Sequence, residues 1–132
     1  MRNAEPRNSD TSLIRLTGID GFDLGAALRQ VGERPAMLIR LLSMFVETYR
    51  GGIPELSGPP GDDTRSRWLA ACHKLRGTCS ALGCSELAQQ LAGFEQSVAR
   101  GTDTAALWSQ ARALNHELLE LVGRLAAELA TT

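Results

Sequence analysis

Apolar side chains recur at three- and four-residue steps along four stretches of this chain, and glycine or proline stands at each break between them. Leu38, Leu41, Leu42, Phe45, Val46 and Tyr49 form the first series, and Trp68, Cys72, Leu75, Cys79 and Leu82 the second. Leu87, Leu91, Phe94 and Val98 make the third; Leu107, Ala111, Leu114, Leu118, Leu121, Leu125 and Leu129 make the fourth. Steps of this length put one apolar stripe on a helix, whereas a strand would alternate every two residues. Leucine and alanine dominate the chain after position 24 and aromatics are only 5% of its 132 residues, which also favours helix over sheet. An amphipathic helix must bury its stripe against another. The expected fold is therefore all-α, an antiparallel four-helix bundle with a short additional helix at its N-terminal end.

Punctuation sets the boundaries. Residues 1–17 open with a polar run containing Pro6 and read as a flexible lead or linker, and residues 18–132 as one domain. Asp20 or Asp23 is placed to cap a short helix over Phe22, Leu24, Ala27, Leu28 and Val31, which Gly32 ends. Pro35 suits the first turn of the next helix, where its missing N–H costs nothing. The segment GGIPELSGPPGDD, with four glycines and three prolines in 13 residues, is expected to be a loop over 51–63. Asp62, Asp63 or Thr64 then caps the second long helix, Ser85 the third, and Thr102 or Asp103 the last.

Composition excludes several classes of function. The formal charge is -1, from 14 basic and 15 acidic residues with no long block of either sign, so there is no basic face for nucleic acid. Neither a membrane-spanning apolar run nor a signal peptide is present, which predicts a soluble, cytoplasmic protein without membrane insertion. No glycine-rich nucleotide loop, paired nucleophile or magnesium-binding carboxylate cluster occurs. Cys72 and Cys79 lie on the buried stripe and read as small core hydrophobes, with Cys84 partly exposed past the helix end. A zinc site from Cys72, His73, Cys79 and Cys84 is not expected, since those side chains point to different sides of one helix; no metal ligands are assigned.

The stretch Trp68 to Gly83, WLAACHKLRGTCSALG, carries the candidate chemistry. On a helical wheel Trp68, Ala71, Cys79 and Leu82 fall within roughly 40° of Leu75, and His73 roughly 160° away. The imidazole must then face outward, flanked by Leu69, Ala70, Arg76, Gly77 and Ser80. On spacing alone an exposed histidine of this kind is an ordinary surface residue. Here, however, a guanidinium stands one turn on, able to neutralise anionic charge at the ring. Gly77 costs the helix about 1 kcal/mol relative to alanine and leaves the ring edge uncovered. His116, by contrast, has no cation one turn on, where Leu119 and Glu120 stand, and reads as surface.

His73-Lys74-Leu75-Arg76-Gly77, preceded by Ala71-Cys72 and followed by Ala81-Leu82-Gly83, Leu87, Leu91 and Glu95, resembles the signature of the histidine-containing phosphotransfer (HPt) domain. Upstream, Gly18-Ile19-Asp20, Ala27-Leu28 and Met37 to Phe45 are similar to that family's opening helices. Arginine at 76 replaces the family's usual lysine, and the loop 51–63 is longer than usual. The resemblance implies a phosphorelay intermediate: His73 accepts a phosphoryl group from a receiver-domain aspartate and passes it to another receiver. Arg76 neutralises charge and Gly77 gives steric access, with Lys74 and Glu95 as supporting residues. Leu69, Ala70, Ser80 and Arg65 are expected to meet the partner, a receiver domain that is free or part of a hybrid sensor kinase. The protein would be a monomeric phosphocarrier without autonomous kinase or hydrolase activity and without a cofactor of its own, Mg2+ coming from the receiver. The alternative is an interaction module that binds a receiver, kinase or enzyme through the same face and is never phosphorylated.

Overall fold

The computed structural model describes residues 13–130, and every regular element among them is helical. A short helix α1 spans Leu24–Gln30, and a long helix α2 spans Pro35–Tyr49. A single turn α3, Pro54–Ser57, follows, and then α4, Thr64–Ala81. Helices α5, Ser85–Ala99, and α6, Thr104–Leu129, complete the chain. Three residues join α4 to α5 and four join α5 to α6, so these helices run antiparallel. The bundle is the one the periodicity predicts.

Each stripe is buried close to where the spacing places it. Trp68, Cys72 and Cys79 are wholly inaccessible and Leu75 nearly so. Leu38, Leu42, Leu91, Leu107, Leu118 and Leu125 meet them in one core. On α6 the buried residue is Val122 rather than the expected Leu121, which is only half-buried together with Leu129. Four steps from Leu118 follow the helical period more closely than three at that point.

The ends of the helices differ from expectation in instructive ways. Asp23 caps α1, accepting from Ala26 N at 3.0 Å, and Asp103 caps α6, accepting from Ala106 N. Asp63 occupies the cap position of α4 in a left-handed conformation and forms no side-chain cap bond. Cys84, not Ser85, is the cap residue of α5, likewise without one. At the end of α4 the Cys84 N–H bonds Cys79 O at 2.8 Å around Gly83, whose φ is +81°, the six-to-one closure of a helix end. A Cβ on Gly83 would lie 2.5 Å from Asp23 O and 2.8 Å from Ala27 Cβ. Only glycine lets α1 pack onto this corner, and Cys84, expected to be partly exposed, is fully buried behind it.

Two segments read as loop or lead contain core. The expected loop 51–63 folds a turn of helix at its centre, burying Ile53 and Leu56. Asn115 of α6 accepts the Ile53 N–H at 2.8 Å, and Glu55 O accepts from Trp68 Nε1 at 2.9 Å. The loop is thus tied to both α6 and α4. The expected lead over residues 1–17 also ends early: residues 13–16 are helical, with Leu13 and Leu16 buried. Its first 12 residues lie outside those described.

Around the bundle the backbones of α4 and α5, α5 and α6, and α6 and α2 approach closely. The fourth seam, between α2 and α4, is wider and leaves a groove that ends at His73.

Candidate functional site

Burial of Trp68, Cys72, Leu75 and Cys79 fixes the rotation of α4, and this rotation turns His73 outward with 74% of its side chain exposed. The histidine sits near the middle of an 18-residue helix, so its backbone position is held by hydrogen bonds on both sides.

Arg76, one turn on, is not a free cation. Its Nε donates to Glu95 Oε2 at 2.7 Å and its terminal nitrogen lies 3.4 Å from Oε1. That same nitrogen lies 3.0 Å from His73 Nδ1. Arginine has no acceptor, so Nδ1 must carry the lone pair in this contact. Glu95 Oε1 is itself 3.8 Å from Nδ1, and its side chain is only 18% exposed. The hydrogen bond first, and the Glu95 charge second, hold the guanidinium above its usual pKa range. Below the site, burial and then the Glu95 charge push the Cys72 thiol from the ordinary 9.0 up to about 12.

Gly77 has open space where a side chain would go: a Cβ there meets nothing within 4 Å among the described residues. The fold does not require glycine at this position, so the gap faces whatever approaches from outside. Lys74 is exposed and lines the groove beside the histidine. It forms no ion pair among the described residues, so its charge is uncompensated. The three cysteines are inside the core while the imidazole is outside, so these four residues do not converge on one point.

The structure gathers His73, Lys74, Arg76, Gly77 and Glu95 into one site. Ala70 and Ser80 are exposed on the same helix, and Leu69 is half-buried against the core. Arg65 is different. Its guanidinium donates to Thr102 O at 2.8 Å and Thr104 Oγ1 at 2.9 Å, which binds the start of α4 to the α5–α6 connection rather than presenting it to a partner. The sequence reading missed the groove itself, lined on the α2 side by Leu41, Met44 and Tyr49 and on the α4 side by Gly77, Thr78 and Ala81. Met44 is 57% exposed. A large apolar residue lying off the buried stripe of an amphipathic helix was the available signal.

With this geometry in place, the comparison with known families is specific: residues 40–129 match the Hpt domain. The chain belongs to the Hpt domain family, whose members are phosphocarriers of two-component signalling systems. No characterised protein and no solved structure matches it. Among the described residues, no helix is long and apolar enough to cross a membrane.

Proposed function

We propose that this protein is a phosphorelay intermediate that takes a phosphoryl group from a receiver-domain aspartate onto Nε2 of His73 and delivers it to a second receiver. The observation that carries this reading is the exposed imidazole, 74% accessible, whose Nε2 has no polar partner among the described residues. In the transfer the Nε2 lone pair attacks phosphorus in line, the bond from phosphorus to the aspartyl oxygen breaks, and the carboxylate leaves with the electron pair. The transition state is loose and anionic, so positioning and charge supply most of the catalysis. Attack requires the ring proton on Nδ1. The Arg76 nitrogen must then leave that atom, and Glu95 Oε1, 3.8 Å away, is the acceptor that receives the N–H. The displaced guanidinium and the uncompensated Lys74 meet the phosphoryl oxygens. Mg2+ and the aspartate belong to the receiver, and this chain brings neither a cofactor nor a kinase activity of its own.

The docking surface under this reading is the α2–α4 groove. Met44 and Leu41 give apolar contact, Gly77 gives clearance, and Ala70 and Ser80 extend the surface along α4. The test is a screen of receiver domains for transfer in both directions. Receivers that lose phosphate to the chain, and others that gain it from the labelled chain, support the relay. Receivers that bind without any exchange of label would instead identify an interaction module.

A further inference from the structure

The contact between Arg76 and Nδ1 is the wrong one for attack. A donor at Nδ1 puts the proton of a neutral, unmodified ring on Nε2, where it blocks the nucleophile. The same contact is the right one for a ring that already carries phosphorus on Nε2, because such a ring, when neutral, has its lone pair on Nδ1. The donor is set there in advance: Glu95, from the neighbouring helix, holds the guanidinium through Nε at 2.7 Å while the terminal nitrogen reaches Nδ1 at 3.0 Å.

We propose that Arg76 guards the phosphohistidine against water by keeping a proton off Nδ1, so that the bundle stores the phosphoryl group until a partner takes it. This inference rests on the relay reading above. In hydrolysis, a water oxygen attacks phosphorus, the P–Nε2 bond breaks, and its electron pair passes to the ring. If Nδ1 carries a proton, the ring departs as neutral imidazole. If it does not, the ring must depart as an imidazolide anion, a much poorer leaving group. A guanidinium at hydrogen-bond distance both occupies the Nδ1 lone pair and repels a second positive charge there.

The other groups facing the ring are consistent with a guard. Lys74, the next residue on α4, adds positive charge and also opposes protonation. Glu95 alone would favour it, but both of its oxygens face Arg76, at 2.7 and 3.4 Å. Tyr49, across the groove on α2, has its phenol pushed above its ordinary value, chiefly by burial, and brings no charge at neutral pH. A receiver whose acidic pocket draws the guanidinium away would open Nδ1 to protonation and favour departure of the phosphoryl group to that receiver.

The test follows loss of label from the purified phosphoprotein, phosphorylated with inorganic phosphoramidate or a phosphorylated receiver and then separated from the donor. Wild type, Arg76→Ala, Arg76→Gln and Arg76→Lys are compared at pH 7 and pH 5, with circular dichroism as the check on folding. At pH 7 the alanine and glutamine variants should lose label about tenfold faster than wild type, the scale of one charge-assisted hydrogen bond, with lysine restoring part of the difference. Because the guard works by excluding a proton, the rates should converge as the pH is lowered to 5. Equal lifetimes at pH 7 in folded, labelled wild type and R76A would overturn the guard and leave the relay intact. A wild-type protein that takes no label at His73 from either donor would overturn the relay reading, and the guard with it.

Discussion

Arg76 and Glu95 are joined across two helices, Nε to Oε2 at 2.7 Å, and the pair touches the reactive ring at one atom, with Arg76 3.0 Å and Glu95 3.8 Å from His73 Nδ1. Cation and carboxylate therefore act on the histidine as a unit. Residues that act as a unit show strongly non-additive effects on rate. Glu95→Ala and Arg76→Ala should each slow phosphoryl transfer from a receiver, and the double variant should be little slower than R76A alone. Independent, multiplying losses in stopped-flow transfer kinetics would show that the two side chains act separately.

Gly77 separates access from stability. With nothing within 4 Å of the position a methyl group would take, Gly77→Ala should stabilise the helix by about 0.5–1 kcal/mol and raise the thermal midpoint. Gly77→Phe should keep the fold and abolish transfer by closing the approach to the ring. Calorimetry beside a transfer assay checks both, and normal transfer in the phenylalanine variant would mean that the gap serves no partner.

Met44, 57% exposed beside the histidine, should act in docking and not in chemistry. Met44→Glu is expected to raise the receiver concentration needed for half-maximal transfer about tenfold, the effect of losing one apolar contact of an interface, with the rate at saturating receiver nearly unchanged. A fall in the saturating rate alone would place Met44 in the chemical step.

Trp68 is wholly buried, edge-on to Phe94 at 5.7 Å, and its Nε1 donates to Glu55 O. Trp68→Ala should cost about 3–5 kcal/mol, and Trp68→Phe much less. Because the indole also anchors the turn α3, limited proteolysis of W68F should cut first between residues 51 and 63. Protection equal to wild type there would show that the hydrogen bond to Glu55 is dispensable.

The Cys72 thiol makes stability fall at high pH. Its folded-state pKa is raised from 9.0 to about 12, so the native state keeps a proton that the unfolded chain releases. The stabilisation is complete below pH 9 and is lost as pH rises toward 12, at up to about 1.4 kcal/mol per pH unit from this group. Urea melts of wild type and Cys72→Ala across that window should show the shallower decline in the variant. Parallel declines would assign the alkaline loss to other groups.

What was readable in one dimension was what repeats along the chain. The stripe Trp68, Cys72, Leu75, Cys79 set the rotation of α4 and with it the outward placement of His73, because periodicity reports directly which face is buried. The turn at Pro54–Ser57 was not readable, since four residues between glycines and prolines contain no period; only the pair Ile53 and Leu56 hinted that something there was buried. The bond between Arg76 and Glu95 depends on how α4 is registered against α5, and the clamp of Arg65 onto Thr102 depends on where the α5–α6 connection lands. Neither is a property of a single helix. The groove needed α2 and α4 together, which is why Leu69 and Ala70, on the histidine helix alone, were singled out before Met44.

The central claim is that His73 itself carries the phosphoryl group, and the most direct measurement is the fate of label offered by a phosphorylated receiver to wild type and to His73→Gln. The account predicts an acid-labile, alkali-stable label on wild type, mapped to His73, and none on the glutamine variant with its fold intact. An acid-labile label that persists in His73→Gln would contradict it.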